Sequence, residues 1–558
     1  MNLSELVGQH AETLQSAVRA NAERTFHAHW PEAPSGKIYG ETANDDGLAA
    51  FMGQKGQPFV GLLQTSDGPT VGQEVSPYGF DLGVTYPGTN VEALISRAND
   101  ARLAWTSCSP GERASVLIEA LERASKRFFE IGYATMHTTG QGFVMAFQAS
   151  GPHAFDRALE AIAMGYSAQS MFVESVDWTK PMGKTSVTIQ KSYRIVPKGI
   201  NLVIGCSTFP VWNTTPAMFA GLVTGNAVII KPHPGAVYPI AIVVAEVQKT
   251  LRDFGFDPHL CQLAVDTIER PITLDILRHP SVTVVDYTGG PQFGAVVERE
   301  AAQANKVVFT EKAGVNSVVF DSAESLDAAL DNLAFALTLY SGQMCTAPQN
   351  IFVPRTGVAA GDRQLTPREF ADALTERVNA LVGNEKAGPG TLGAIQNANT
   401  ARRVEEAAGL GLQVLRAAAP VRQAGFDNAR SISPLLLLTD DSRADVFERE
   451  WFGPIAFVIE TESFDSAVEH VVRGVRQHGA LTTLVYTTDS NKQQRAEDAI
   501  VGAGAPVAFN FNSYVWVNQS AAFSDFHGAG ANPAGNATFA DLTFVTARYN
   551  VVGVRVQK

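Results

Sequence analysis

Cysteine is scarce in this chain, with four in 558 residues: Cys108, Cys206, Cys261 and Cys345. They stand far apart and form neither a Cys-x-x-Cys pair nor a Cys/His cluster. That spacing argues against a disulfide framework or a structural zinc site and suits a reducing compartment. Positive charge is also in short supply, since 43 Lys and Arg face 56 Asp and Glu for a formal net charge of −13. Such a balance argues against a broad nucleic-acid or anionic-membrane surface, while leaving room for a local basic patch that binds a phosphorylated cofactor. Long hydrophobic runs are missing as well: nowhere do about 18 apolar residues stand together, as a membrane span needs. Met1 to Trp30 has no apolar core of a signal peptide. The expectation is a soluble, cytoplasmic protein with no metal, no nucleic-acid partner and no membrane partner.

What is there describes an ordinary globular chain, 45% hydrophobic and 18% charged. Its length suggests roughly three or four domains. Residues 1–75 read as a helix followed by a Gly- and Pro-rich segment and carry no evident chemistry. From Val91 to Glu130 the periodicity is helical, broken at Pro110-Gly111. Val187, Ile189, Tyr193 and Ile195 alternate with polar residues and predict an extended arm or edge strand before Pro197. Between 201 and 311 five short apolar runs alternate with helical segments: Leu202–Ile204, Ala227–Ile230, Leu263–Val265, Val282–Val285 and Val307–Phe309. This pattern predicts an α/β fold with a doubly wound parallel sheet, whose ligands bind at the carboxyl ends of the strands. Residues 312 to 520 continue as mixed α and β, and the tail Phe544–Val556 is β-branched enough to add a strand elsewhere.

Chemistry concentrates in Tyr340-Ser341-Gly342-Gln343-Met344-Cys345-Thr346. A thiol after a small, polar segment, in a chain sparing of cysteine, is a candidate nucleophile. Glu311 ends an apolar run 34 residues upstream (345 − 311) and is a candidate base. Together they suggest covalent thiol catalysis with a separate group to activate water. Read singly, they are a buried structural cysteine and a surface glutamate. Lys231 closes the run Ala227–Ile230 and can reach a ribose or phosphate from that strand end. Thr288-Gly289-Gly290 lies between a strand and a helix, where glycine lets backbone amides approach a phosphate. A plain βα turn explains that segment equally well.

In their order along the chain these pieces resemble the aldehyde dehydrogenase superfamily over roughly residues 85–558. The similar segments are Thr208-Phe209-Pro210-Val211-Trp212, Thr224-Gly225-Asn226 running into Lys231, the Thr288-Gly289 loop, Glu311, Gln343-Met344-Cys345 and Glu450-Trp451-Phe452-Gly453-Pro454. The N-terminal extension and Phe-Pro-Val-Trp are similar to the phenylacetate-degradation branch, which acts on a CoA-linked semialdehyde. The resemblance implies Cys345 as nucleophile, Glu311 as hydrolytic base and Thr208 at the oxyanion. It implies Lys231, Thr288, Gly289, Gly290, Glu450 and Phe452 around a nicotinamide dinucleotide, and Phe209, Trp212 and Trp451 along an apolar substrate tunnel.

It also implies a division of the chain. Residues 76–180 and 198–311 form the cofactor domain, 312–535 an α/β catalytic domain, and 181–197 with 536–558 a β arm for a homodimer or homotetramer, after the 1–75 extension. Two departures from the family stand out. Thr208 replaces the usual oxyanion asparagine, and loss of one such donor costs on the order of 3 kcal/mol; Asn213 falls five positions too late to replace it. Pro234 replaces the glutamate that follows the cofactor lysine in NAD-specific members, so a 2′-phosphate meets no repulsion there and NADP is expected, with NAD possible. The presence of Glu311 favours hydrolysis to an acid over acyl transfer to CoA. A CoA-acylating or reductive relative, or a non-catalytic cofactor-binding protein, is the alternative reading.

Overall fold

Strands buried on both faces are written as near-continuous apolar runs, and the runs between 200 and 312 form such a sheet. In this computed structural model, which describes residues 2–512 and 522–558, they are Ile200–Ile204 (β1), Ala227–Lys231 (β2), Cys261–Leu263 (β3), Val282–Gly289 (β4) and Val307–Lys312 (β5). All pair in parallel, in the order β3-β2-β1-β4-β5. The run Leu263–Val265 overshoots its strand, because the ladder stops at Leu263. Helices Thr215–Val223 and Tyr238–Asp253 follow β1 and β2, each with proline in its first turn, where a missing N–H costs nothing. The strand order reverses at β1, so the crevice beyond the carboxyl ends of β1 and β4 is the topological switch point of the sheet.

A second sheet contains Ser317–Phe320 (β6), Asn350–Pro354 (β7), Gln413–Arg416 (β8), Leu435–Asp440 (β9), Ile455–Thr461 (β10), Thr483–Tyr486 (β11) and Ala508–Phe509 (β12). Its order is β8-β9-β10-β7-β6-β11-β12, parallel except for the antiparallel edge strand β8. Successive side chains of a strand face opposite ways. Val318 and Phe320 accordingly pack with the helices Leu326–Thr338 and Pro367–Val382, and Val319 with Phe464–His478 and Ser490–Gly502. The span 312–535 includes residues 513–521, which lie outside the described residues.

The third sheet is an antiparallel ribbon in which Thr185–Pro197 pairs with both Ser175–Met182 and Tyr549–Gln557. Thr185–Pro197 is therefore the middle strand rather than an edge. The hairpin turns at Gly183, whose φ of 65° favours glycine. Pro181 pairs with Ser186 just before this turn, and Ser175 to Lys180 continue the same strand of the ribbon. Within 536–558, Leu542–Thr546 is helical, with Phe544 and Val545 buried. Arg548 follows, fully buried, and its guanidinium grips both oxygens of Asp286 on β4 at 2.6 and 2.8 Å, tying the last strand to the first sheet.

The N-terminal extension is more ordered than its glycines and prolines suggest. It contains the helices Leu3–Glu23, Gly36–Tyr39 and Ala43–Gln54. Asn2 and Glu5 form a capping box at its start, and Leu6, Leu14 and Ala17 are buried in the core of the first sheet. At Gly47 a Cβ would stand 2.4 Å from the Cβ of Phe129, so glycine permits the crossing of Ala43–Gln54 over Phe128–Thr139.

Candidate active site

A cavity of about 450 Å³ lies between the two sheets at the switch point. One end is built by the turn that carries Cys345. The helix Leu326–Thr338 runs into Tyr340, Ser341 and Gly342, all with φ between 50° and 63°. Left-handed backbone costs a non-glycine residue about 1–2 kcal/mol, so the turn needs outside support. The Tyr340 hydroxyl donates to Thr139 O at 2.5 Å, the Ser341 hydroxyl to Leu392 O at 3.0 Å and Gln343 Nε2 to Ala394 O at 3.0 Å. A Cβ on Gly342 would meet Gly453 O at 2.4 Å, which ties the turn to the segment Glu450–Pro454. Asn316 Nδ2 donates to Cys345 O at 2.8 Å, fixing the backbone of Cys345 itself.

Glu311, near the end of β5, is buried rather than on the surface, at 4% exposure. Its neighbour across a single bridge is Gly535, whose lack of a side chain lets that segment approach. Asn213 Nδ2 donates to Glu311 Oε2 at 2.8 Å, and His527 Nε2 lies 3.1 Å from Oε1. Donor atoms of Cys345, Glu311 and His527 lie within 4.8 Å of one another. Burial pushes the Glu311 carboxyl upward, but the charge and contact of His527, then Cys345 and Asn213, more than offset this and hold it below its usual value. Burial, with the Glu311 charge second, pushes the Cys345 thiol well above its ordinary value. The resting pair is therefore a neutral thiol beside an ionised carboxylate.

Thr208 reaches the cavity, but its hydroxyl is engaged with the thiol of Cys206. Asn213 accepts from Cys206 Sγ at 3.5 Å and donates to Glu311, so its amide is engaged with the carboxylate rather than standing in for Thr208. Phe209 lines the cavity and packs edge-on against Tyr340 with centroids 5.8 Å apart. The other two aromatic candidates lie elsewhere. Trp451 is 2% exposed in the core of the second sheet, its indole N–H donating to Val446 O at 2.9 Å. An indole so enclosed has no face for a substrate. Trp212 sits behind Glu311, edge-on to His527.

The far end of the cavity has the makings of a dinucleotide site. Thr288, Gly289 and Gly290 line it, and Gly290 caps the helix Pro291–Gln303, whose N-terminus favours phosphate. Space beside Gly290 is open, with no atom within 4 Å of where a Cβ would stand. Glu450 and Phe452 contribute the opposite wall. Burial raises the Glu450 carboxyl to about 7 against the opposing charge of Arg403. Lys231 Nζ lies 2.6 Å from Asp266 Oδ1, both side chains nearly inaccessible. Asp266 follows β3 and receives a second bond from Ile272 N at 3.0 Å. Asp266 thus places a carboxylate beside Lys231 from the end of the neighbouring strand.

Residues 85–540 match the family model described as the Aldehyde dehydrogenase family. The chain belongs to the aldehyde dehydrogenase family. A crystal structure of an NAD-dependent aldehyde dehydrogenase from Burkholderia multivorans is 44% identical, covers 99% of each chain and gives a TM-score of 0.96. Benzaldehyde dehydrogenase (NAD(+)) of Pseudomonas putida is 24% identical over 72% of this chain and 77% of its own length. Succinate-semialdehyde dehydrogenase (NADP(+)) of Deinococcus radiodurans is 26% identical over 76% and 84% respectively.

In this aldehyde dehydrogenase the sequence analysis missed His527, Asp266, Asn316 and Cys206. His527 is one histidine in a Gly- and Ala-rich stretch, and Asn316 is an unremarkable polar residue before a strand. Asp266 alone carried a local signal, as a carboxylate at a strand end in a sheet that binds there.

Proposed function

We propose that this aldehyde dehydrogenase oxidises an aldehyde to a free carboxylic acid through a thioester on Cys345, with Glu311 activating the water that hydrolyses it. The observation that carries this reading is the close approach of the Cys345 thiol to the buried Glu311 carboxylate at one end of a cavity of about 450 Å³. Glu311 takes the thiol proton as Sγ attacks the aldehyde carbon, and the carbonyl oxygen becomes an oxyanion. The Cys345 backbone N–H, which points toward Sγ, is a donor for it. Bound NAD or NADP supplies the hydride acceptor that converts the thiohemiacetal to a thioester. Glu311 then releases the thiol proton to solvent and, ionised again, accepts a proton from water; the water oxygen attacks the thioester carbon, and the C–S bond breaks. The leaving thiolate recovers the proton, and the acid departs.

The roles proposed for Lys231 and Glu450 are to hold the riboses, and for Thr288, Gly289 and Gly290 to face the pyrophosphate. The five-stranded sheet serves the cofactor and the seven-stranded sheet the reaction. The exposed Val551, Val552, Val554 and Val556 support the ribbon as the arm of a homodimer or homotetramer. For the aldehyde we propose a CoA-linked semialdehyde, as in the phenylacetate-degradation branch, supported by the folded N-terminal extension and by Phe209-Pro210-Val211-Trp212. The test is reduced-nicotinamide absorbance over aldehydes from short aliphatic to CoA-linked, with and without free CoA. Reduction without CoA, yielding free acid, is expected; turnover only with CoA overturns hydrolysis in favour of an acylating relative.

Asp266 supports NAD over NADP. Its carboxylate neutralises Lys231, accepts hydrogen bonds from ribose hydroxyls and repels a 2′-phosphate. Direct titration should give tighter binding of NAD than NADP. In Asp266→Ser, Lys231 loses its counter-charge and is free to pair with the 2′-phosphate, so the ratio of the two Kd values should move at least about tenfold toward NADP, as 1.4 kcal/mol of ion pairing would do. Tighter NADP binding by the unmodified protein would restore the expectation drawn from Pro234.

A further inference from the structure

Glu311 is held at both of its oxygens. Asn213 donates to Oε2 at 2.8 Å, and His527 Nε2 lies 3.1 Å from Oε1. His527 is 3% exposed, and two aromatic rings fix its own: Trp212 edge-on at 4.7 Å and Phe539 stacked at 5.5 Å. The titratable groups that face the carboxylate are Cys345 and Cys206, besides His527 itself. Arg157 lies over the ring of Trp212 at 5.4 Å, with its charge paired to Glu160 at 2.7 Å. Among the described residues, the basic side chain in contact with Glu311 is therefore His527.

A carboxylate buried this deeply tends to take up a proton, and a protonated carboxyl is no base. We propose that His527 is a positioning residue for thioester hydrolysis: it stands against one oxygen of Glu311 and, with Asn213 at the other, keeps the carboxylate turned toward Cys345 while water is activated. The inference rests on the reading of Glu311 as the hydrolytic base. Its proton balance is closed. Glu311 receives the water proton and the departing thiolate takes it back, so His527 exchanges no proton in the step. Each carboxylate oxygen has more than one lone pair, so contacts with Asn213 and His527 leave acceptor capacity for water. The rings of Trp212 and Phe539 prevent His527 from following solvent away from this partner.

The test uses 4-nitrophenyl acetate, which acylates a reactive thiol without any cofactor. The initial burst of nitrophenolate reports acylation of Cys345, and the slower steady phase reports hydrolysis of the acetyl-enzyme. In His527→Gln the steady phase should fall by about 10- to 100-fold, the size of loss that misplacing a catalytic group produces. The pH profile decides between a charge and a packing role. His527 lowers the carboxylate's pKa, so its removal raises that pKa, and the acid limb of the steady phase should move up by about one pH unit or more. Activity should then recover partly at higher pH. His527→Phe keeps a ring between Trp212 and Phe539 without the charge, and it should show the same displaced limb; it is read in place of His527→Gln if that variant fails to bind NAD. An unmoved limb of the steady phase in the variant that binds NAD overturns the proposal. Glu311→Gln separates the two levels. If it still hydrolyses the acetyl-enzyme, the assignment of the base fails; if it stalls while the His527 variants behave as the unmodified enzyme, only the role of His527 fails.

Discussion

Replacing Cys345 by alanine should reduce aldehyde oxidation and ester hydrolysis to background, a loss on the order of 10⁶-fold, as when a nucleophile is removed outright. The fold should survive, because the turn around Cys345 is held by Tyr340, Ser341, Gln343 and the Asn316 contact to a backbone carbonyl, none of which needs the sulfur. Binding of NAD should survive as well, since Lys231, Gly290 and Glu450 line the cavity beyond the thiol. Cys206 is the instructive control, because it places a second thiol in the same cavity. Burial pushes it up to about 11, and its sulfur donates to Asn213 Oδ1. Cys206→Ala should therefore keep the acylation burst that Cys345→Ala abolishes. Steady-state kinetics and intact-mass detection of the acyl-enzyme check both variants. A burst that persists in Cys345→Ala would move the nucleophile to Cys206 and overturn the mechanism. Because Cys345 rests as a thiol, its alkylation by iodoacetamide should be slow at neutral pH and accelerate as pH rises.

Much of the first sheet is legible because its strands have no solvent face. Ala227–Ile230 and Val282–Val285 cannot be amphipathic surface, and their spacing leaves room only for crossover helices. The ribbon is harder to read. Thr185–Pro197 alternates like a half-buried edge, yet it is a central strand with no fully buried residue, and its second partner, Tyr549–Gln557, arrives from the far end of the chain. The first N-terminal helix is legible, but Gly36–Tyr39 and Ala43–Gln54 escape notice within the stretch read as Gly- and Pro-rich. Their apolar positions are sparse, and it is docking onto Phe128–Thr139 that orders Ala43–Gln54.

The same division runs through the site. Cys345, Glu311 and Lys231 sit at strand ends or tight turns, where local sequence announces an exposed functional group. His527 and Asn213 reach Glu311 from 216 residues after it (527 − 311) and 98 before it (311 − 213), and no local pattern encodes that meeting. Trp451 errs in the opposite direction. Its motif resembles a functional segment, yet within that segment Glu450 and Phe452 face the cavity while the tryptophan between them faces the core. Adjacent residues in an extended segment point opposite ways, so a motif licenses its residues one at a time.

Glu311→Gln separates the two halves of the reaction. The first turnover should still reduce one equivalent of NAD per site, after which the rate should fall by about 10²–10⁴-fold, the usual contribution of a general base. The amide is nearly isosteric and its oxygen can still accept from Asn213 Nδ2, so the loss reflects proton transfer rather than collapse of the site. Intact mass should show the acyl group retained on Cys345. The unmodified enzyme should keep its hydrolytic rate down to a pH below the ordinary carboxylate value, because Glu311 is held ionised there; the variant should lack this limb. Acylation and deacylation should also part company at high pH. Glu311 relieves the raised thiol of its proton, so without it the burst slows near neutrality but recovers as Cys345 ionises unaided. Hydrolysis has no such recourse, because water does not ionise in that range, and the thioester should persist. Recovery of both phases together at high pH would mean that Glu311 acts on the thiol alone and that another group activates water.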